Sequence, residues 1–187
     1  YDALNRVWTI DYPGDAYDVY YYYDEEIAIN GEGNLTRVED AAGTVRYDYD
    51  DRDRIIKKTK VIGDKTYITC YAYDNVDNII AIKPPAWSDS IHYKYDGENK
   101  LWWVALGHTQ SSAIAMYEYN PTGTIKKITY QKPNSGIRGW VEYWYTPRDW
   151  VDSFKVYDKD GNVILKHDYE YDNKGNRTKL VETINNE

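Results

Sequence analysis

Tyr47-Asp48-Tyr49-Asp50-Asp51-Arg52-Asp53-Arg54-Ile55 reads as the end of one strand, a tight turn and the start of the next strand. The pattern returns along the chain. Tyr71-Ala72-Tyr73-Asp74 leads to Asp77-Asn78-Ile79, and Tyr93-Lys94-Tyr95-Asp96 leads to Asn99-Lys100-Leu101. Tyr117-Glu118-Tyr119-Asn120 leads to Gly123-Thr124-Ile125, and Tyr143-Trp144-Tyr145-Thr146 to Asp149-Trp150-Val151. Tyr169-Glu170-Tyr171-Asp172 leads to Gly175-Asn176-Arg177. Ile27-Ala28-Ile29-Asn30, leading to Gly33-Asn34-Leu35, reads as a weaker copy, and Tyr1-Asp2 leads in the same way to Asn5-Arg6-Val7. Copies beginning at 27, 47, 71, 93, 117, 143 and 169 lie 20, 24, 22, 24, 26 and 26 residues apart. Self-similarity at such a period is the mark of a repeat architecture and outranks any single motif.

The turn has a mechanism. With the acid at position i, position i+3 is Gly, Asp or Asn in all eight copies. These residues tolerate positive φ. Pro121 and Pro147 stand at i+1, where a type I turn prefers proline. A type I turn followed by a left-handed residue is the three-residue hairpin connection with a bulge. The carboxylate at i can bond N–H groups of its own turn. The acids therefore read as turn chemistry, not catalysis. Position i faces i+4 in this hairpin, so Asp50 faces Arg54, Asp2 faces Arg6 and Asp96 faces Lys100. The second Tyr faces i+5, which pairs Tyr49 with Ile55, Tyr73 with Ile79, Tyr95 with Leu101 and Tyr119 with Ile125. Aromatic–aliphatic cross-strand pairs contribute roughly 0.2–1 kcal/mol each.

Composition agrees with an all-β chain. There are 22 Tyr and 7 Trp but only 1 Phe and 1 Met, so the apolar surface is largely aromatic with polar handles and suits strands. A net charge of −8 argues against nucleic acid as the main partner. The single Cys70 excludes an internal disulfide and reads as a small strand residue. No stretch approaches the roughly 18 apolar residues of a membrane-spanning helix, so no membrane insertion is expected. No signal peptide is visible, and the chain opens inside a repeat copy, which points to a piece of a longer parent chain. Residues 1–187 are expected to form one repeat region of about eight hairpin units.

Strands are expected over Val7–Tyr12, from Tyr17 to Tyr23, and over Leu35–Glu39. Asp40-Ala41-Ala42-Gly43 and Asp158-Lys159-Asp160-Gly161 turn the opposite end of their hairpins. A short helix from Ala105 to Met116 is the alternative to a strand there. Near the repeated turn the Tyr face is the apolar one. Further along, Ile10, Val38, Ile82, Val104, Ile128 and Phe154 count onto the opposite face, which suggests a sheet that curls, bulges or is covered on both sides.

Tyr-Asp-Ala-Leu-Asn-Arg-Val at 1–7, Gly-Asn-Leu-Thr-Arg-Val-Glu-Asp-Ala-Ala-Gly-Thr at 33–44 and Tyr-Glu-Tyr-Asp-Asn-Lys-Gly-Asn-Arg-Thr at 169–178 resemble YD repeats, also called RHS (rearrangement hot spot) repeats. The resemblance covers nearly the whole chain. It implies a long antiparallel sheet that curls into a spiral. In bacterial polymorphic toxins and toxin-complex B/C proteins such a sheet closes into a shell around a toxic C-terminal segment; in teneurins a similar shell is extracellular. The resemblance thus implies a secreted or cell-surface structural scaffold that encapsulates or presents a toxin or effector domain. The bacterial shells end in an Asp-Pro-x-Gly-Leu core motif with a self-cleaving site, and no Asp-Pro pair occurs here. The resemblance carries over scaffold, not chemistry.

No catalytic, cofactor-binding or metal-binding residues are assigned. His92, His108 and His167 fall in different units with no shared spacing. Asp158-Lys159-Asp160-Gly161 lacks the third acid and terminal Glu of a calcium loop. No nucleophile elbow, phosphate loop or Cys/His ligand set is present. The best alternative function is a carbohydrate-binding surface. Trp102, Trp103, Trp140, Trp144 and Trp150 lie within three consecutive units, and exposed aromatic platforms stack on sugars. The bland reading is that they pack the sheet. About sixteen strands would leave unpaired edges in residues 1–12 and 163–184. Such edges invite a partner, most simply the rest of a parent chain or a second copy in a symmetric homodimer.

Overall fold

The structure, a computed structural model, describes residues 1–14 and 18–185. It divides into two compact units, Tyr1–Ser90 and Ile91–Glu187. The first unit contains β1 (Thr9–Ile10), β2 (Val19–Tyr23), β3 (Leu35–Asp40), β4 (Gly43–Tyr49), β5 (Ile55–Ile62), β6 (Lys65–Tyr73) and β7 (Ile79–Lys83). The second contains β8 (Ile91–Tyr95), β9 (Leu101–Leu106), β10 (Ala113–Tyr119), β11 (Ile125–Lys132), β12 (Gly136–Tyr145), β13 (Val151–Asp158), β14 (Val163–Tyr171) and β15 (Arg177–Ile184). Within each unit the strands stand in sequence order and every pair is antiparallel. The fold class is the expected one, all-β and built of repeated hairpins.

The hairpin register is as read from the turns. Tyr49 faces Ile55, Tyr73 Ile79, Tyr95 Leu101, Tyr119 Ile125, Tyr145 Val151 and Tyr171 Arg177. The left-handed position is occupied as expected: φ is 60° at Asn5, 57° at Asp53, 70° at Asp77, 64° at Asn99, 92° at Gly123, 58° at Asp149 and 87° at Gly175. The same turn bonds recur. The Asp50 N–H donates to Arg54 O (3.0 Å) and the Asp53 N–H to Asp50 O (3.1 Å).

The apolar faces differ from the sequence reading. Immediately after each i+5 residue the register slips by one, so that one residue of the second strand is extra. Side chains alternate with period two, and a single inserted residue reverses the count. Val38 therefore faces Tyr21, Ile82 faces Tyr71, Val104 faces Tyr93, Ile128 faces Tyr117 and Phe154 faces Tyr143. These aliphatic and aromatic groups share the tyrosine face instead of occupying the opposite one. Ala115, Ile128 and Val141 are its best-buried members in the second unit. A smaller cluster on the other face joins Trp103, Ala105 and Ala113, with Met116 against it.

Four further expectations change. Where a helix was the alternative, only Gln110–Ser112 forms one 3-10 turn between β9 and β10. The first strand is just Thr9–Ile10, held by one neighbour and broken by Pro13. The run expected from Tyr17 is β2; Tyr17 itself lies outside the described residues. Fifteen strands, not sixteen, are present among the described residues, because Ile27–Asn30 is not a strand end. β14, which falls in the expected 163–184 edge, is paired on both sides; β15 pairs only with β14 among the described residues.

The glycines separate two costs. A Cβ on Gly123 meets only the tip of Lys100 at 3.9 Å, whereas one on Gly175 lies 2.8 Å from the Trp150 ring. Gly123→Val is expected to lose on the order of 1–2 kcal/mol in urea unfolding, the cost of a left-handed β-branched residue. Gly175→Val is expected to lose more, because it adds the clash; equal losses would refute this account.

Candidate functional site: the laced turn edge

The recurring chemistry of the chain lies along the edge formed by the repeated turns. Asp2, Asp50, Asp74 and Asp172 each close their own turn three ways. Asp50 Oδ1 accepts the N–H groups of Arg52 (2.9 Å) and Arg54 (3.1 Å), and Oδ2 accepts Arg54 Nε at 2.8 Å. Asp74 does the same with Val76, Asn78 and the Asn78 side-chain amide, and Asp172 with Lys174, Asn176 and the Asn176 amide. Asp158 repeats the arrangement with Asp160 and Asn162, so this far-end turn uses the same device as the repeat turns.

Hydrogen bonds to the ionised form depress a carboxyl pKa. The Arg54 guanidinium, then the turn N–H groups, hold Asp50 down to about 2. Asp74, Asp158 and Asp172 are lowered first by the side-chain amide at i+4, and Asp2 first by the Arg6 N–H.

The second Tyr ties each hairpin to the one before. Tyr49 donates its hydroxyl to Leu35 O (2.5 Å), Tyr73 to Ile55 O (2.8 Å) and Tyr119 to Leu101 O (2.8 Å). Tyr145 donates to Ile125 O and Tyr171 to Val151 O, both at 2.7 Å. In every case the acceptor is the carbonyl beside the preceding bulge; Ile55, Leu101, Ile125 and Val151 stand at i+5, and Leu35 holds the same place after the widened turn. The i+4 side chain meanwhile lies on the same ring: Arg6 over Tyr23 at 4.2 Å, Arg54 over Tyr73 at 4.6 Å and Lys100 over Tyr119 at 5.5 Å. Successive turns are also joined by charge, with Arg54 Nη1 on Asp77 at 2.7 Å, Arg52 Nη2 on Asp77 at 2.9 Å and Arg6 Nη2 on Asp24 at 2.6 Å.

Between hairpins the strands part before they reach this edge. The β3–β4 ladder ends at Arg37–Arg46, β9–β10 at Trp103–Met116 and β13–β14 at Ser153–Asp168. The opening between β9 and β10 is a groove of about 890 Å³ lined by Asp96, Glu98, Lys100, Trp102, Glu118 and Tyr119 among others. Its counterpart between β13 and β14 measures about 500 Å³.

The β3–β4 opening is occupied by the chain itself, and here the sequence reading is corrected. Tyr23, not Ile29, faces Leu35, and the Tyr23 hydroxyl donates to Val7 O at 3.0 Å. The true copy is Tyr21-Tyr22-Tyr23-Asp24, a Tyr-x-Tyr-Asp that lies in plain view. It puts the following copy 26 residues later, at Tyr47. The Asp24 N–H donates to Asn34 O, so the turn is a widened version of the others. The inserted residues fold back. Ile29 N–H donates to Asp48 Oδ1 (3.1 Å), Tyr49 N–H to Ile29 O (3.0 Å) and Asn30 Nδ2 to Tyr49 O (3.3 Å). Glu25 takes the Thr36 hydroxyl at 3.0 Å and pairs with Arg37 at 2.9 Å on the other bank.

The five tryptophans separate. Trp103 is 8% exposed and packs in the small core. Trp140 stacks on Tyr157 at 5.0 Å, and Trp150 packs against Tyr171 at 5.3 Å. These three serve the sheet. Trp102 and Trp144 stay open at 40% each, and Lys155 lies over the Trp144 ring. His92 and His108, counted into different units, belong to one hairpin, β8–β9, and their rings meet at 3.9 Å. The sequence hides this because His108 stands beyond β9 in the far loop, across from the start of β8. Imidazoles so placed are able to share a borderline metal cation. His167 contacts Glu182 (2.6 Å) and Tyr169 (3.2 Å). Cys70 is a free thiol on β6.

Antiparallel hairpins stapled one to the next along a turn edge define a hairpin-repeat β-protein. Residues 30–65 match the family model described as RHS Repeat, so the resemblance drawn from the turns is shown there. The fold is similar to three solved structures. The Tc holotoxin pore of Photorhabdus luminescens has a TM-score of 0.74 at 18% identity, covering 94% of this chain and 9% of that one. TcdB2-TccC3-TEV gives 0.74 at 17% identity, covering 96% and 10%. TcdB2-TccC3 without its hypervariable C-terminal region gives 0.75 at 18%, covering 95% and 10%. The chain spans about a tenth of the length of each. No curated protein matches.

Two outcomes follow from this edge. The carboxyls of Asp2, Asp50, Asp74 and Asp172 bind a proton more weakly folded than unfolded. Their contribution is therefore complete above the unfolded value of 3.8 and is lost as pH falls toward about 2. Thermal unfolding followed by circular dichroism should show a midpoint that drops across that window, and Asp50→Asn should flatten the drop. Separately, Tyr119→Phe should lower stability by about 0.5–1.5 kcal/mol, the worth of one hydrogen bond. No change in urea midpoint would show that the hydroxyl bond contributes nothing.

Proposed function

We propose that this chain is a non-enzymatic structural RHS scaffold, one repeat region and a segment of a shell that encloses or presents a toxin or effector domain. The observation that carries the reading is the hairpin-to-hairpin bonding along the turn edge within each unit. Tyrosine hydroxyls, turn carboxylates and i+4 cations are spent on joining hairpins, which is what an extended sheet requires. The proteins with which it shares its fold are far larger assemblies, and their names place that fold in Tc toxins. A secreted or cell-surface location goes with this reading.

The partner it implies is the rest of a parent chain, continuing from β15. All eight residues of that strand are exposed, including Leu180, Val181 and Ile184. An open strand edge with apolar side chains is a template for another strand. The isolated 187-residue chain is accordingly proposed to form a symmetric homodimer.

Two experiments test these statements. Light scattering on the purified chain at tens of micromolar should show a concentration-dependent dimer, and a clean monomer would rule the homodimer out. In the parent chain, the segment beyond the repeats should resist protease until denaturant opens the sheet. Digestion at the rate of the free segment would overturn encapsulation.

A further inference from the structure

We propose that the groove between β9 and β10 at the turn edge is a docking site for a short turn-forming peptide segment that carries an aliphatic residue against Trp102. It is held as the chain's own Glu25–Asn30 is held between β3 and β4. The inference rests on the fold alone and does not depend on encapsulation.

The two openings correspond position by position. Each lies between the bulged strand after one turn and the Tyr-x-Tyr strand of the next. Leu35 matches Leu101 as acceptor of the second-Tyr hydroxyl, from Tyr49 in one case and Tyr119 in the other. Asp48 then matches Glu118, and Thr36 matches Trp102. In the first opening the inserted segment uses main-chain groups on one bank. Ile29 gives its N–H to the Asp48 carboxylate and receives the Tyr49 N–H on its carbonyl, and Asn30 bonds Tyr49 O. A segment seated between β9 and β10 finds Glu118 and the Tyr119 main chain in those places. Glu118 is exposed and lines the groove.

The opposite bank sets the difference in specificity. In the first opening Thr36 and Arg37 bind the Glu25 carboxylate. In the second, Trp102 stands where Thr36 stands, 40% exposed and facing the groove. An indole offers a broad apolar surface and no partner for a carboxylate. The fitting occupant therefore carries a large aliphatic residue where the inserted segment carries Glu25. The rest keeps the pattern Ile-Ala-Ile-Asn. Space agrees with an empty version of the first site: about 890 Å³ is open here, against about 330 Å³ left beside the seated segment. Ile27 and Ile29 of the seated segment stay exposed, so its hold comes from main-chain hydrogen bonds and its selectivity from the residue in the Glu25 place.

The test uses the whole 187-residue chain and the capped hexapeptide Leu-Glu-Ile-Ala-Ile-Asn, titrated by calorimetry and by tryptophan fluorescence. Saturable binding is expected, weakened about tenfold by N-methylating the second Ile, which removes the donor to Glu118, and by a similar factor in Trp102→Ala. The peptide with Glu in first place should bind more weakly than the Leu peptide. The N-methyl control leaves the protein unaltered, so it reads out even where Trp102→Ala unfolds. No saturable binding at millimolar peptide would overturn the proposal. So would binding indifferent to both N-methylation and Trp102→Ala, which would place the peptide elsewhere. Binding of an oligosaccharide at Trp102 that the peptide fails to displace would also overturn it.

Discussion

The second tyrosine of each copy reaches across an opening between strands and gives its hydroxyl to the main chain of the previous hairpin. The acceptor is a carbonyl beside the bulge, where the ladder has been interrupted. A main-chain carbonyl away from water needs a partner, and a bulge removes the usual one. The tyrosine supplies it at 2.5–2.8 Å in five consecutive-type contacts from Tyr49 to Tyr171. At Tyr73 and Tyr119 the same ring also gives a flat surface to the cation at i+4. One side chain thus satisfies the backbone, fills space and orients its neighbour. Phenylalanine would keep the ring's packing and its face for a cation but leave the carbonyl without its donor.

The turn acids complete the edge in a way that limits what else they can do. A carboxylate holding two turn N–H groups and a side-chain donor is fixed in orientation and kept ionised. Neither property suits proton transfer near neutral pH, where a useful acid or base has its pKa close to the working pH. Part of the acid content of this chain, 31 Asp and Glu against 23 Lys and Arg, is thereby tied to the geometry of the turns. The arginines at i+4 and i+2 place cations between successive turns and moderate the repulsion that a column of acids creates.

The widened turn from Asp24 to Asn34 shows what the openings between hairpins can accept. Six extra residues do not disturb the ladder on either side. They fold into the gap and bond both banks, with Glu25 on β3 and Ile29 and Asn30 on β4. A single-layer sheet otherwise has few places where a segment is held on two sides. Here the bulge and the splayed strands create one between β3 and β4, between β9 and β10 and between β13 and β14, and the residue after the bulge-side acceptor decides its character. Thr36 makes it polar; Trp102 makes it aromatic.

The sequence by itself determined the repeat, the turn type, the left-handed position and the pairing of each second Tyr with its i+5 partner. These are local: φ at Asp53 or Asn99 and the Asp50–Arg54 clamp depend on residues within a few positions. What it hid lies where counting fails or where distant residues meet. The bulge after i+5 adds one residue, and period-two reasoning then sent Val104 and Ile128 to the wrong face. Ile27-Ala28-Ile29-Asn30 imitated a strand end, although the Tyr-x-Tyr-Asp at 21–24 is the real one, because an insertion can copy the alternation of a strand without joining a ladder. The roles of the tryptophans were equally out of reach: Trp102 and Trp103 are adjacent in sequence and point to opposite faces, one into a groove and one into a core. Only the tertiary structure decided these, since the contacts that settle them join residues some twenty positions apart, from Tyr119 to Leu101 or from Ile29 to Tyr49.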